Sequence, residues 1–253
     1  MIISKNFELT FSKGIRRIAI VDFDVHHGNG TEAIVRSLGE RREKQYFVSH
    51  FNKITFDRTV CRPWLDETDS ENVFFVSVHG YGKSFFPQSG STSDLIENEG
   101  EHGGVLNIGL PSSHLSRKQW YRCWQQRLLP AVDRFSPDII FLSAGFDAHF
   151  SDEINLDHIG LHEIDYSWLT GRIQAIANKH CNGRVVSALE GGYAIHGHQI
   201  SPFARAVAAH VKSLANGGCI ISCFFFFLIA NYFYRKTNLR RRRQLQISSS
   251  HYD

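Results

Sequence analysis

Arg17-Ile18-Ala19-Ile20-Val21-Asp22-Phe23-Asp24-Val25-His26-His27-Gly28-Asn29-Gly30 is the stretch whose reading decides the fold. The run from Arg17 to Val21 is apolar and partly β-branched, as a strand of a parallel sheet covered on both faces should be. It ends in acid and imidazole. Asp24 and His26 are two apart, so in extended chain they point to the same side, and a carboxylate oxygen with an imidazole nitrogen suits zinc at about 2.0 to 2.2 Å. An isolated Asp-x-His pair reads more readily as an ordinary loop than as a metal site. Three neighbours tip this one toward metal: Asp22 stands where a buried strand should carry an aliphatic, His27 doubles the imidazole, and Gly28 with Gly30 permits a close backbone turn.

Four further strands are expected, over residues 72–78, 105–109, 138–143 and 184–189. Polar groups follow four of the five: the motif at 22 to 30, His79-Gly80-Tyr81, Gly145-Phe146-Asp147-Ala148-His149 and Glu190-Gly191-Gly192-Tyr193. In open α/β sheets, ligands bind beyond the carboxyl ends of the strands, and the polar groups fall there. Between strands the apolar spacing turns helical, over Thr31 to Leu38, Ser116 to Phe135 with Ser116 as N-cap, Leu161 to Asn178, and Gln199 to Leu214. This alternation predicts a parallel, doubly wound sheet in one domain. A chain of 253 residues with 42% hydrophobic content suffices for its core.

These residues resemble a known family. Asp-x-Asp-x-His-His-Gly-x-Gly at 22 to 30, Ser77-Val78-His79 with Phe86-Pro87, Ser143-Ala144-Gly145-Phe146-Asp147-Ala148 and Leu189-Glu190-Gly191-Gly192-Tyr193 look like the zinc-dependent histone deacetylases and their acetylpolyamine amidohydrolase relatives. The last two motifs are closer to the class II enzymes. The resemblance spans roughly residues 15 to 214 and implies the three-layer α/β fold of the arginase/deacetylase type. It also implies roles. Zinc would be held by Asp24, His26 and Asp147, with the fourth position left for water and the acyl oxygen. Zinc lowers the pKa of bound water to about 7 and polarises the amide carbonyl. Tyr193 would hydrogen-bond the developing oxyanion, and Gly191 and Gly192 would let its loop lie close to the metal. Phe86, with Gly192, would line the tunnel that receives the acyl-lysine methylenes. A potassium ion would sit beside the zinc, held by Asp22, the Ser77 hydroxyl and the carbonyls of Asp24, His26 and Val78. Taken singly, Asp147 reads more readily as the start of a turn, and Tyr193 and Phe86 as ordinary packing aromatics; the partner motifs reverse that balance for Asp147.

The chain departs from the family pattern in three places. The family has a Gly-His-His pair upstream that acts as general base and electrostatic partner, whereas Met1 to Lys13 contains no histidine. The chain therefore resembles a deacetylase domain lacking its N-terminal part, and a slow hydrolase is expected, because such groups contribute roughly 10²- to 10⁴-fold. His79, His102 and His149 read as local hydrogen-bonding residues rather than recruited bases. Residues 39–71 form a long connection, read either as a rim insertion shaping access or as a solvated loop. After a domain spanning 1–216, residues 217–253 read as a hydrophobic then basic tail. As a helix, Cys219 to Tyr234 would span about 24 Å, short of a roughly 30 Å hydrocarbon core. That makes it a disordered tail or a marginal membrane segment, with Arg235, Lys236 and Arg240 to Arg243 on the cytoplasmic side.

Composition bounds the partners. With 28 basic and 25 acidic residues the net charge is +3, and much of the excess lies in the tail, so no nucleic-acid footprint is expected. Five irregularly spaced cysteines suggest reduced thiols in nucleus or cytoplasm. Two functions remain open. One is a zinc amidohydrolase acting on acetyl-lysine in histones or other proteins, or on an acetylpolyamine. The other is a catalytically silent relative that binds or scaffolds. A binuclear hydrolase would need further carboxylates around both metals.

Overall fold

The computed structural model describes residues 14–48, 53–92, 102–197 and 199–217. Five parallel strands form the sheet in the order β5-β4-β1-β6-β7, with β1 (Ile18–Asp22) at its centre between β4 (Val73–Gly80) and β6 (Ile139–Ala144). The edges are β5 (Gly104–Leu110) and β7 (Val185–Leu189). Register aligns Asp22 with Ser77 on one side and with Ser143 on the other. Three polar side chains on three adjacent strands thus stand at one level, at the end of β1 and near the carboxyl ends of β4 and β6.

Alternation along β1 sends its apolar residues to two cores. Ala19 and Val21 join Phe74, Val76, Leu142 and the larger helical layer, whereas Ile18 and Ile20 pack with Val35, Leu38, Phe75 and Val105 beneath α1 (Asn29–Arg36). Every residue of β1 and β4 is buried. That is the burial a parallel sheet covered on both faces requires.

The helices shift from their expected bounds for identifiable reasons. The run from Ser116 to Phe135 is helical throughout, but it divides into α3 (Ser116–Cys123), a π-helical turn at Trp124–Leu128 and α4 (Leu129–Phe135). Pro130 has no amide hydrogen and its ring crowds the preceding turn; the widened turn just before it relieves that conflict. Ser116 is not the N-cap. That position belongs to Leu115, and the Ser116 hydroxyl donates instead to the Pro111 carbonyl at 2.7 Å. Helix α5 (Glu163–Cys181) starts later and runs further than expected, stopping where Asn182 adopts φ 50°. Helix α6 (Pro202–Asn216) is capped by Ser201, whose Oγ accepts from the Ala204 amide at 3.2 Å.

The long connection is not a plain loop. It contains an antiparallel pair, β2 (Arg41–Val48) with β3 (Lys53–Val60), then a helical turn at Asp69–Asn72 here termed α2. The charged residues Arg41 to Lys44 conceal a strand whose β-propensity is carried by Tyr46, Phe47 and Val48, matched by Ile54, Thr55 and Phe56. The expected tail lies outside the described residues, apart from Gly217. Among the described residues, no helix is long and apolar enough to cross a membrane, and Cys61 and Cys123 are free thiols.

His210 ties α6 to the sheet. The Thr170 hydroxyl donates to the Tyr166 carbonyl at 2.6 Å, so His210 Nδ1 donates to Thr170 Oγ1 at 2.7 Å and Nε2 accepts from Ser187 at 2.9 Å. Burial lowers the His210 pKa to about 4. Because the unfolded histidine titrates near 6.5, the folded state binds fewer protons between these values. Stability contributed by the neutral ring is present above pH 6.5 and lost as pH falls toward 4, on the order of 3 kcal/mol. Urea midpoints measured from pH 7.5 to 4.5 should fall less in His210→Gln than in the wild-type chain. Equal declines would assign the acid sensitivity to other groups.

Candidate metal centre

Beyond β1 the backbone turns over the carboxyl edge of the sheet, and carboxylates hold the turn. Asp22 Oδ1 accepts from the Asp24 amide at 3.0 Å, and Asp24 Oδ1 accepts from the His26 amide at 2.8 Å. These are local side-chain to backbone turns rather than the simple extended run expected from spacing. From the loop after β6, Asp147 Oδ1 accepts from the Val25 amide at 2.9 Å. From the loop after β7, the Gly191 amide donates to Asp24 Oδ2 at 3.1 Å. Three loops are thereby fastened to one another through the side chains at their centre.

Asp24, His26 and Asp147 converge. One ligand atom from each lies within 4.8 Å of the others. His26 Nδ1 is 3.1 Å from Asp24 Oδ1 and 3.0 Å from Asp147 Oδ2. Ligands about 2.1 Å from a common tetrahedral centre stand about 3.4 Å apart, so a small outward shift would fit a zinc ion. The donor set suits that ion, and its surroundings are cleared for it. A Cβ added to Gly145 would meet Asp24 Oδ2 at 2.1 Å, and one added to Gly191 would meet Oδ2 of both Asp24 and Asp147 at 2.4 Å. Side chains are excluded at both positions by the carboxylates themselves.

The electrostatics express the same crowding. Burial opposes a charge on His26, yet hydrogen bonds to Asp147 and Asp24 outweigh it and raise its pKa to about 10. Burial, followed by the nearby Asp24 charge, pushes Asp147 up to about 7. Burial and then the charges of Glu190 and Asp24 drive the Asp22 carboxyl well above its ordinary value. Such a set of carboxylates is matched to a cation.

The other expected residues fall around this point in different ways. Ser77 and Val78 are fully buried on β4, with Ser77 in register with Asp22. His79 Nε2 donates to the Gly90 carbonyl at 2.8 Å, so its Nδ1 accepts from the Ser77 hydroxyl, also at 2.8 Å. The Ser77 oxygen consequently keeps its lone pairs free. Burial, aided by the charge of His27, lowers the His79 pKa to about 3. His27 points to a structural task, with Nδ1 at 2.8 Å from Ser89 Oγ and Nε2 at 2.6 Å from Glu32 Oε2. His149 accepts from the Ser151 amide at 3.1 Å, a local contact as expected, and His102 is exposed.

Phe86 is 71% exposed, with its ring 6.1 Å from that of His26 at 65°. Its neighbour Phe85, not singled out from sequence, is buried and stacks on His26 at 5.1 Å and 5°. The Phe-Phe-Pro run carries a signal for aromatic walls, but nothing in it says which ring faces inward. Tyr193 is half-exposed, and burial followed by the charges of Asp147 and Asp24 pushes its hydroxyl up to about 12. Gly191, rather than Gly192, is the glycine that abuts the carboxylates. Gly192, expected in the tunnel wall, has φ 133° and backs onto Phe203, whose ring a Cβ would meet at 2.4 Å. Asp152 was not foreseen at all; its Oδ2 accepts from the Tyr193 and Ala194 amides at 2.6 and 3.0 Å.

Known proteins resemble this chain in sequence and fold. The profile of the family described as "Histone deacetylase domain" matches residues 7–214. The chain is 33% identical over 209 residues to the Type-2 histone deacetylase 2 of Dictyostelium discoideum, a match covering 81% of this chain and 10% of that protein. It is 31% identical over 180 residues to the Histone deacetylase-like amidohydrolase of Pseudomonas aeruginosa, covering 71% and 38%. The crystal structure of the HDA15 HD domain superposes with a TM-score of 0.56 at 26% identity, covering 82% of this chain and 48% of that one. The chain thus spans less than half the length of each relative. With a match this extensive over a parallel α/β sheet, the chain belongs to the histone deacetylase domain family.

Proposed function

We propose that this chain is the metal-bearing part of a zinc-dependent amidohydrolase that removes acetyl groups from lysine side chains of proteins, histone tails among them, or from acetylpolyamines. The observation that supports the reading most is the convergence of Asp24, His26 and Asp147, whose ligand atoms lie within 4.8 Å of one another. These three residues would hold zinc, which when bound supplies Lewis acidity toward the acyl oxygen and toward water. The chain's own groups do the rest. The Tyr193 hydroxyl, kept protonated by a pKa near 12, donates a hydrogen bond to the acyl oxygen as negative charge develops there. Phe85 fixes the plane of His26 by stacking, while Phe86 and Gly192 would flank the acyl-lysine methylenes. Asp22, Ser77 and Val78 would hold potassium through hard oxygen donors, the Ser77 lone pairs being left free by its bond to His79.

Localisation to nucleus or cytoplasm, and a domain over 1–216 followed by a separate tail over 217–253, belong to the same proposal. A silent binding domain is the second reading. It is favoured by the engagement of His27 with Ser89 and Glu32, and of His79 with Ser77 and Gly90. Neither imidazole is free to move a proton to the leaving amine.

Purified chain should carry one zinc per molecule by elemental analysis, and Asp147→Ala should carry none. Acetate release from an acetyl-lysine peptide above the Asp147→Ala background identifies a hydrolase; stoichiometric zinc without release selects the binding domain. Gly191→Ala should weaken zinc about 10- to 100-fold in a chelator competition, the cost typical of disturbing groups that orient the ligands. Unchanged affinity would mean that the carboxylates do not need the space the glycine leaves.

A further inference from the structure

We infer that Asp152 is the positioning residue for Tyr193, and so sets where the hydrogen-bond donor stands relative to the metal ligands; this rests on the role proposed above for Tyr193. Asp152 is 4% exposed and belongs to the loop after β6 that also carries Asp147. Its carboxylate reaches across to the loop after β7. Oδ2 accepts from the Tyr193 amide at 2.6 Å and from the Ala194 amide at 3.0 Å, while Oδ1 accepts from the Ile154 amide at 3.2 Å. An ionised carboxylate is an acceptor only and can take all three bonds at once, each strengthened by its charge.

Asp152 is itself fixed. Its amide donates to the His149 carbonyl at 2.9 Å, and Asn155 Nδ2 donates to the same carbonyl at 2.7 Å. That carbonyl lies two residues from Asp147, so the clamp and the metal ligand share one short segment.

The clamped loop requires such a clamp. Tyr193 follows Gly191 and Gly192, which have the broadest backbone freedom of any residues, and the tyrosine side chain is 53% exposed. Upstream, the loop is held where the Gly191 amide donates to Asp24. Downstream, Asp152 holds Tyr193 and Ala194. Two carboxylates therefore pin the loop on either side of Gly192, one a proposed zinc ligand and the other not, and together they fix the tyrosine in register with the metal. A donor displaced by about 1 Å can cost about 100-fold in rate.

The test uses the full chain loaded with zinc and labelled with ¹⁵N, as wild type, Asp152→Ala, Asp152→Asn, Tyr193→Phe and the Tyr193→Phe/Asp152→Ala double variant. Asp152→Ala should speed amide exchange at Tyr193 and Ala194 at least about tenfold while leaving Val21 and Val76 unchanged, with zinc stoichiometry intact. On an acetyl-lysine peptide its kcat should drop about 100-fold with KM within about twofold. The double variant should be no slower than Tyr193→Phe alone. Asp152→Asn, which keeps one acceptor oxygen, should recover part of both effects and carries the same comparison if Asp152→Ala does not fold. Unaltered exchange at the two amides, or a loss that adds in full to that of Tyr193→Phe, would overturn the assignment. If wild type releases no acetate, the hydrolase reading fails by itself, and exchange at Tyr193 and Ala194 still decides whether Asp152 holds the loop.

Discussion

Two carboxylates forced together at the carboxyl edge of the sheet are the constraint on which the rest of this structure depends. Asp147 is fully buried, Asp24 nearly so, and both face the same imidazole. Like charges at this separation in a medium of low dielectric cannot both persist without a positive partner. A proton shared through His26 meets that need in one state, and a divalent cation meets it in the other. The arrangement is costly as a device for stability alone, because a buried ion cluster seldom outperforms well-packed hydrophobic residues. Its presence at the carboxyl ends of the central strands is therefore a mark of chemistry.

The surrounding fold reads as the means of holding that pair. Parallel register places Asp22, Ser77 and Ser143 side by side, so polar groups of β1, β4 and β6 meet at one level near the carboxyl edge of the sheet. Glycines at 145 and 191 remove the atoms that would otherwise occupy the space of the carboxylate oxygens. Backbone amides of Val25, His26 and Gly191 each donate to a carboxylate oxygen of Asp147 or Asp24, which fixes the orientation of both side chains. Below them, Ser77 and His79 form a satisfied polar layer, reaching Gly90 and so the aromatic loop at 85 to 90.

The sheet was largely legible in the sequence because β1, β4 and β6 are buried on both faces and read as unbroken apolar runs. Asp22-x-Asp24-x-His26 was legible because acids and imidazoles have no packing reason to end such runs. Other features were hidden for physical causes. The β2 and β3 pair begins in charged residues, so its alternation is weak. The π turn depends on Pro130 being absorbed inside a helix instead of ending it. Phe85 and Phe86 are chemically identical neighbours whose separation into a buried and an exposed ring is a tertiary outcome. Asp152 looks like any loop aspartate, and only the approach of Tyr193 from a distant segment gives it a task.

Zinc-edge X-ray absorption on the metal-loaded chain tests the central claim most directly, since it reads the atoms around the ion without reference to turnover. The account predicts a shell of oxygen and nitrogen at about 2.0 to 2.2 Å containing a single imidazole. A sulfur contribution near about 2.3 Å, or scattering from two or more imidazoles, would contradict it, because the metal would then be held somewhere other than between Asp24, His26 and Asp147.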